Sequence, residues 1–502
     1  MSTSSPPDPR VPQAGPRSAS QAPATPIPAT GTARDRGAPQ APLAGGTHGP
    51  DALRPLLGLV LESLREGAAD RGGPFPPGGP EAIAAQIRQA VEPVLPDHGI
   101  GAGNALHRLV RAVAYGAADP ADPLCAAHLH TPPLALAVAA DLAASVLNQS
   151  LDSWDQAPAA SEVERSVTRA LAAEVYPHAP QPDALVTTGG TESNQLALLL
   201  ARERHGAIQV ICGSGSHHSV QRAAWLLGLP APVTVPAADG ALDPVALDDA
   251  LTELPGPRLV VATAGATDTG RIDPLPEIAA ICERHGVELH VDAAYGGPLL
   301  FSERHRPLLA GLERADSVTL DLHKLGWQPI AAGLFAVRDH ARLSPLAITA
   351  DYLNPDDDTE AGLPDLLGRS LRTTRRPDVL KIAVTLRSLG RDGMAALVDR
   401  TMDSAARFAQ LIEADERLEL WQRPTLSTVL FRPRGAGDAQ TAEIRRTLLM
   451  EGRAVLGRAR IDGRLWLKAT LLNPYASSAD LHRLIDLVID VVIELVEGST
   501  HR

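Results

Sequence analysis

Between positions 183 and 337 short apolar runs alternate with amphipathic stretches of helical spacing, and no other feature limits the fold of this chain so strongly. The runs fall at 184–186, 208–211, 233–235, 259–262, 287–291, 317–320 and 334–337. Strands joined by helical crossovers imply an α/β fold built on a large, mainly parallel sheet. Ligands of open α/β sheets gather at the carboxyl ends of the strands, so the residues just after each run are where chemistry is expected.

The flanks are of another kind. Residues 1–50 mix Pro, Ala, Ser, Thr and Gly with almost no large apolar side chains. Such a segment buries too little surface to offset its chain entropy and is expected to form a disordered tail. Over 51–125 the apolar spacing is helical, as in Leu56, Leu57, Val60, Leu61 and Leu64, with a Pro/Gly-rich break at 72–80. This is expected to be an N-terminal helical segment, followed by the large sheet domain at 126–375. After a long connection at 344–372, helical patterns lie near 377–389 and 394–413, strand patterns at 427–431 and 465–471, and a closing helix at 478–496. They predict a smaller C-terminal α+β domain at 376–502.

A formal charge of −13 disfavours nucleic acid or an anionic membrane as partner, because either rewards a basic face. Cys125, Cys212 and Cys282 stand far apart with no CxxC spacing, so neither a disulfide framework nor a metal site is indicated. No apolar run approaches the length of a membrane span, and the N-terminus lacks a basic-then-apolar secretory pattern. A cytoplasmic protein acting on a small molecule is expected.

Lysine is nearly absent: of 46 basic side chains only Lys324, Lys381 and Lys468 are lysine. Arg serves surface charge equally well, but only an amine can lose its proton when desolvated and attack a carbonyl to form an imine. Lys324 is the best placed of the three. It closes Asp321-Leu322-His323-Lys324 just after one apolar run, while Asp292 and the small Ala293 and Ala294 follow another. A strand ending in Asp and a second ending in His-Lys is the layout that presents a carboxylate and an amine to pyridoxal 5'-phosphate (PLP).

Other segments bear on the same reading. The turn Thr188-Gly189-Gly190-Thr191 follows a strand and opens a helix, where backbone N–H groups, the helix dipole and the Thr191 hydroxyl suit a phosphate. A dinucleotide fingerprint is not met, since His218 stands where GxGxxG needs its third Gly, and there is no Walker Lys. His217 follows a strand and is a candidate to stack on a cofactor ring. Each residue alone has a plainer explanation, such as a strand-end cap for Asp292 or a structural role for His217. Together they occur in the order, and at the strand ends, that a PLP site needs.

These stretches carry a resemblance. From about 128 to 485 the chain resembles the group II PLP-dependent amino-acid decarboxylases of the fold-type I superfamily, through the segment from Thr188 to Asn194, His217 before Ser219, Val291 to Gly297, and Asp316 to Lys324. The resemblance implies that Lys324 is the Schiff-base lysine, His217 the ring-stacking residue and Asp292 the partner of the pyridine nitrogen. It implies further that Gly190, Thr191 and His323 contact the phosphate, and that Thr267 and Ala294 lie beside the cofactor. Within the family the chain is most similar to bacterial diaminobutyrate and siderophore-type diamine-forming decarboxylases, through His128-Leu129-His130-Thr131-Pro132-Pro133, the stretches at 148–156, 351–354 and 370–376, and Leu471-Leu472-Asn473-Pro474. Ala266 and Leu325-Gly326-Trp327 depart from common family residues, and both bear on the substrate.

The expected reaction is α-decarboxylation of an L-amino acid, releasing CO2 and an amine. Diamino acids (2,4-diaminobutyrate, ornithine, lysine) stand beside apolar, aromatic or acidic substrates, with Trp327 placed to alter the pocket. Transamination, desulfuration and an inactive PLP-binding scaffold are the other readings. For a distal amine, Asp351 and the acids at 356–358 are possible sources of charge. Aromatic amino-acid decarboxylases of the family carry a product-protonating Tyr in the connection at 344–372; its only Tyr here is Tyr352, near the start rather than in the later half, so that role is not carried over. A homodimer with the site at the subunit boundary is implied by the resemblance.

Overall fold

The computed structural model describes residues 41–500, so the expected tail lies outside the described residues except at its last ten positions. The chain divides into the units Met1–Leu43 and Ala44–Arg502. In the first, the described residues 41–43 carry no helix or strand. The second unit holds all the elements that follow.

Three helices come first, α1 (Gly49–Arg71), α2 (Gly79–Val91) and α3 (Ala102–Tyr115), and the Pro/Gly break falls between the first two as expected. A short strand β1 (Cys125–Ala126) and helices α4 (Ala135–Leu147) and α5 (Pro158–Val175) lead to the large sheet. From there the chain runs β2 (Asp183–Thr187), α6 (Gly190–His205), β3 (Gln209–Gly213), α7 (Ser219–Leu226), β4 (Val233–Val235), a small hairpin of β5 (Ala237–Ala238) and β6 (Ala241–Leu242), and α8 (Pro244–Glu253). It continues through β7 (Arg258–Thr263), α9 (Leu275–His285), β8 (Glu288–Ala293), β9 (Ser317–Asp321) and β10 (Gly333–Val337). Every apolar run read from the sequence lies on one of these strands.

The large sheet has the order β2-β10-β9-β8-β7-β3-β4. β9, β8, β7, β3 and β4 are mutually parallel, and β10 alone runs antiparallel, between β9 and β2. Val260, Val291 and Val318 in the central strands are wholly buried, because helices cover both faces. Each such side chain contributes about 1.5–3 kcal/mol relative to exposure. Because the central strands are parallel, the ends of β7, β8 and β9 open on one edge.

Beyond α10 (Asp356–Glu360), the long helix α11 (Val379–Ala414) is broken at Gly390, whose φ is +62°. A second sheet follows, made of β11 (Leu418–Leu420), β12 (Thr428–Pro433), β13 (Val455–Ile461) and β14 (Arg464–Thr470), with α12 (Asp438–Met450) and α13 (Ser478–Thr500) beside it. Its order is β1-β13-β14-β12-β11, so the strand just before the large domain completes the small sheet. The sequence reading missed β13. Its signal was there: Asp462-Gly463, both at positive φ, makes the two-residue turn that sets Ile461 opposite Arg464.

Buried charges join the helices around the large sheet. Arg375 Nη1 donates to Glu164 Oε2 of α5 at 2.6 Å, with both side chains almost fully buried. Lys381 Nζ, at the start of α11, lies 3.0 Å from Asp141 and 3.2 Å from Asp378, two carboxylates that Arg376 also contacts. Among the described residues Glu164 has no cation other than Arg375. We predict that Arg375→Met destabilises the fold by about 3 kcal/mol or more, since it strands a buried carboxylate. Lys381→Met should cost clearly less, because Arg376 still neutralises Asp141 and Asp378. Urea midpoints of the two variants check this ranking, and equal losses would contradict it.

Candidate active site

At the carboxyl edge of the large sheet the turns after β2, β7, β8 and β9 surround a cavity of about 380 Å³. Its walls include Gly190, Thr191, His217, Thr267, Asp292, Ala294, His323 and Lys324. The structure thus brings all eight residues singled out in the sequence to one cavity. Its size is at the lower end of what small-molecule sites occupy.

Asp292 ends β8 and is buried, so it needs donors in place of water. Ala294 N–H supplies one at 3.1 Å, and the Asn194 side chain supplies another at 2.7 Å. Asn194 sits in the first turn of α6 and satisfies every bond its amide can make. Its Nδ2 also donates to Ser219 Oγ at 2.8 Å, and its Oδ1 accepts from His290 Nε2 and Thr319 Oγ1, each at 3.0 Å. The amide orientation fixes two ring tautomers. His290 carries its proton on Nε2, so Nδ1 accepts from Ser317 Oγ at 2.8 Å. Ser219 donates its hydroxyl to His217 Nδ1 at 2.9 Å, which leaves the His217 proton on Nε2. Burial pulls both imidazoles towards the neutral form, His290 to about 4 against the pull of Asp292, and His217 also downward.

The turn that opens α6 forms another part of the wall. Gly189 precedes the helix with no side-chain cap, so the start of α6 keeps its anion-binding character. The turn is packed too closely for a side chain: a Cβ on Gly189 would lie 2.8 Å from His323 Cε1, and one on Gly190 3.0 Å from Ala294 Cβ. Thr188 donates its N–H and hydroxyl to Glu192, both at 2.7 Å, and Glu192 is in turn held by Arg372. On the other side, Lys324 Nζ and His323 Nε2 each lie 3.4 Å from Asp321 Oδ2. Burial raises Asp321 to about 6 and lowers His323 to about 4. Asp321 Oδ1 and His323 Nδ1 are buried without a partner among the described residues. An anion-binding turn, a carboxylate held by fixed donors, an amine and orphaned polar atoms on one cavity fit a phosphorylated pyridine aldehyde.

Gly265 supports the wall after β7. Its φ of +109° and the 2.8 Å from a would-be Cβ to Leu426 Cδ1 leave no place for a side chain. Close by, the Thr267 carbonyl accepts from Lys468 Nζ at 3.2 Å.

Other sequence candidates stand elsewhere. Tyr352, 80 % exposed, and Asp351 and the acids at 356–358 lie on the connection outside the cavity walls. Arg375 and Arg376, inside the stretch 370–376 that carries part of the resemblance, make the structural ion pairs described above. Trp327 does not shape the pocket: it is fully buried, and its Nε1 donates to the Leu472 carbonyl at 2.9 Å. The sequence reading gave no role to Asn194, His290, Thr319, Ser219 or Asp321. All of these but His290 lay inside quoted motifs, but the pairing of Asn194 with Asp292 joins two strand-helix units and has no local signal.

Residues 86–434 match the pyridoxal-dependent decarboxylase conserved domain. The chain is 44 % identical over 418 residues to an L-2,4-diaminobutyrate decarboxylase of Rhizobium meliloti (strain 1021), covering 80 % of this chain and 84 % of that one. It is 33 % identical to a protein of the same name from Acinetobacter baumannii, covering 80 % and 86 %. Among solved structures, the glutamate decarboxylase domain of diaminobutyrate-pyruvate transaminase and L-2,4-diaminobutyrate decarboxylase from Vibrio parahaemolyticus superposes with a TM-score of 0.80 at 31 % identity, covering 90 % of this chain and 98 % of that one.

The buried His290 gives a pH prediction. The unfolded chain binds a proton at this residue near pH 6.5, whereas the folded chain does so only near 4. The stability it contributes is therefore whole above pH 6.5 and is lost as pH falls towards 4. Relative to His290→Gln, the wild type should lose about 3 kcal/mol between pH 7.5 and 4.5, because each pH unit over which only the unfolded chain holds the proton costs ~1.4 kcal/mol. Urea titrations of both proteins at the two pH values check it. A difference that stays constant would show that His290 titrates in the fold as it does in the unfolded chain.

Proposed function

From the premise that the chain belongs to the pyridoxal-dependent decarboxylase family, we propose that its PLP is held by the residues around the 380 Å³ cavity and that its substrate is L-2,4-diaminobutyrate. As a member of that family it is a PLP-dependent amino-acid decarboxylase. The observation that carries the site assignment is the convergence of Lys324, Asp292, His217 and the Gly190 turn on one cavity. The diamino substrate is supported by the two relatives of that name.

When bound, PLP supplies an electron-accepting ring that takes up the electron pair left on the α-carbon as CO2 departs. The protein's part is placement and proton control. Lys324 is the amine that would hold the cofactor through its aldehyde. Asp292, fixed by Asn194 and Ala294 N–H, holds the proton on the pyridine nitrogen. Neutral His217 and Ala294 would hold the ring and so help orient the substrate carboxylate. The start of α6, Thr191 and His323 hold the phosphate.

The working form is proposed to be a cytoplasmic homodimer. Ile330 lines the cavity yet is 73 % exposed, an apolar wall that a second subunit would cover. Leu61, Val94, Leu95 and Val113 in and around the first three helices are exposed as well. The connection at 344–372 has the length of a functional loop rather than a plain link and is proposed to close the site. No helix among the described residues is long and apolar enough to cross a membrane.

Two measurements test this function. Lys324→Arg should abolish both the visible absorbance of bound PLP and turnover, while Lys381→Arg keeps the absorbance; the reverse outcome would remove Lys324 from the site. In a CO2-release assay with PLP-loaded protein, L-2,4-diaminobutyrate should exceed ornithine, lysine, aspartate and tryptophan in kcat/KM by at least about tenfold, the discrimination worth ~1.4 kcal/mol. Preference for aspartate or tryptophan would refute the diamino substrate.

For the assembly, sedimentation should show a dimer, and trimming the connection at 348–365 should spare PLP absorbance while lowering turnover. An active monomer would refute the dimer, and an unchanged rate would refute the closing loop.

A further inference from the structure

Resting on the proposed cofactor cradle, we infer that Asp321 shares a proton with the cofactor phosphate, so that loading PLP takes up one proton from solvent at this residue. Its carboxylate lies against the turn that opens α6. A Cβ on Gly189 would sit 3.5 Å from Asp321 Oδ1 and one on Gly190 3.3 Å from Oδ2, and the Gly190 backbone favours the ionised carboxylate. Asp321 therefore lies against the same helix start that an anion would use. It is 2 % exposed, with Oδ1 unpartnered among the described residues.

The surrounding charges decide what happens when phosphate arrives. Lys324 and His323 face Asp321 from its own segment, and Asp292 adds negative charge from the end of β8. From α6, Glu192 is turned to Thr188 and Arg372, and β10 brings no titratable side chain. Across the cavity, His217 is neutral. His323 is held neutral by burial and by Lys324 and Lys381. Lys324 is the amine held against Asp321 at 3.4 Å, and the cofactor aldehyde would condense with it, releasing water and any proton the amine carries. Asp321 would then lose its ion-pair partner and gain a dianion as neighbour. Two anions in contact at a buried site do not both stay ionised. A solvent proton moves to the Asp321 carboxylate, no heavy-atom bond changes, and the neutral acid donates to a phosphate oxygen. The position of Asp321 near 6 before loading means that the proton must be taken up at neutral pH.

The test compares PLP with pyridoxal, which carries the same aldehyde and ring but no phosphate, on wild type and Asp321→Asn. Calorimetry at pH 7.5 in two buffers of different ionisation heat counts protons, and proton changes at Lys324 or the ring nitrogen cancel between the two probes. Wild type should take up about one more proton with PLP than with pyridoxal, and the ratio of its PLP affinity to its pyridoxal affinity should fall about tenfold per pH unit between pH 6.5 and 8. Asp321→Asn should show neither the extra proton nor the pH slope. If the variant keeps the extra proton, or if wild type lacks it, the inference fails while the cradle stands. Should Asp321→Asn not fold, the wild-type comparison of PLP with pyridoxal still decides. Failure of wild type to bind PLP at any pH overturns the cradle and this inference together.

Discussion

Burying the Asp292 carboxylate at the end of β8 is the constraint on which the site rests. Such a charge persists inside a protein only where fixed donors replace water. Asn194 supplies the donor, but an amide is useful in this role only if its other bonds are filled, which His290, Thr319 and Ser219 do. The consequence is mechanical as much as electrostatic. The start of α6, the strands β8 and β9 and the start of α7 are tied through a single side chain. The anion-binding turn and the carboxylate therefore keep a fixed separation, which a rigid ligand with a phosphate at one end and a ring nitrogen at the other requires.

The same rigidity appears in backbone packing. Gly189 and Gly190 have no room for a side chain beside His323 and Ala294, and Gly265 is held against Leu426 and Tyr295. Tyr295 in turn contacts Ser427 and Thr428 through its hydroxyl, at 2.8 and 3.0 Å. The small C-terminal sheet is thus continuous with the wall of the cavity. Lys468 of that sheet reaches the Thr267 carbonyl from the same side.

Much of this was legible in the sequence, and the limits were physical. The strands of the large sheet are apolar along their length, and that pattern does not depend on partners. The residues at their carboxyl ends could be named because each lies directly after such a run. Three things could not be read. Asn194, His290 and Thr319 meet only after the sheet forms, since β8 and β9 are distant in sequence from α6. β13 has charged residues at Arg458 and Arg460 that mask its strand pattern, although its Asp462-Gly463 turn was a usable sign. The scarcity of lysine also proved ambiguous: Lys381 is wholly buried between two carboxylates and Lys468 nearly so, so all three lysines avoid bulk solvent. Only its position beside Asp321 on the cavity sets Lys324 apart.

The connection at 344–372 is not held evenly. At its C-terminal end Arg369 pairs with Asp183 at the start of β2, and Arg372 pairs with Glu192, which accepts from Thr188 just past the end of the same strand. Both ends of β2 are therefore fastened to one short segment of the connection. The earlier part is organised around Asn354, which bonds Ala350, Ile348 and Asp365, all within the connection itself. Exposed apolar residues such as Ile348 and Tyr352 lie in that part. A closing movement would then pivot ahead of Arg369, because motion beyond it would break the Arg372–Glu192 contact and disturb the turn proposed to hold the phosphate. If the proposed closure occurs, cofactor binding and loop movement would fall to different segments of one connection, with the ion pairs of Arg369 and Arg372 at the boundary.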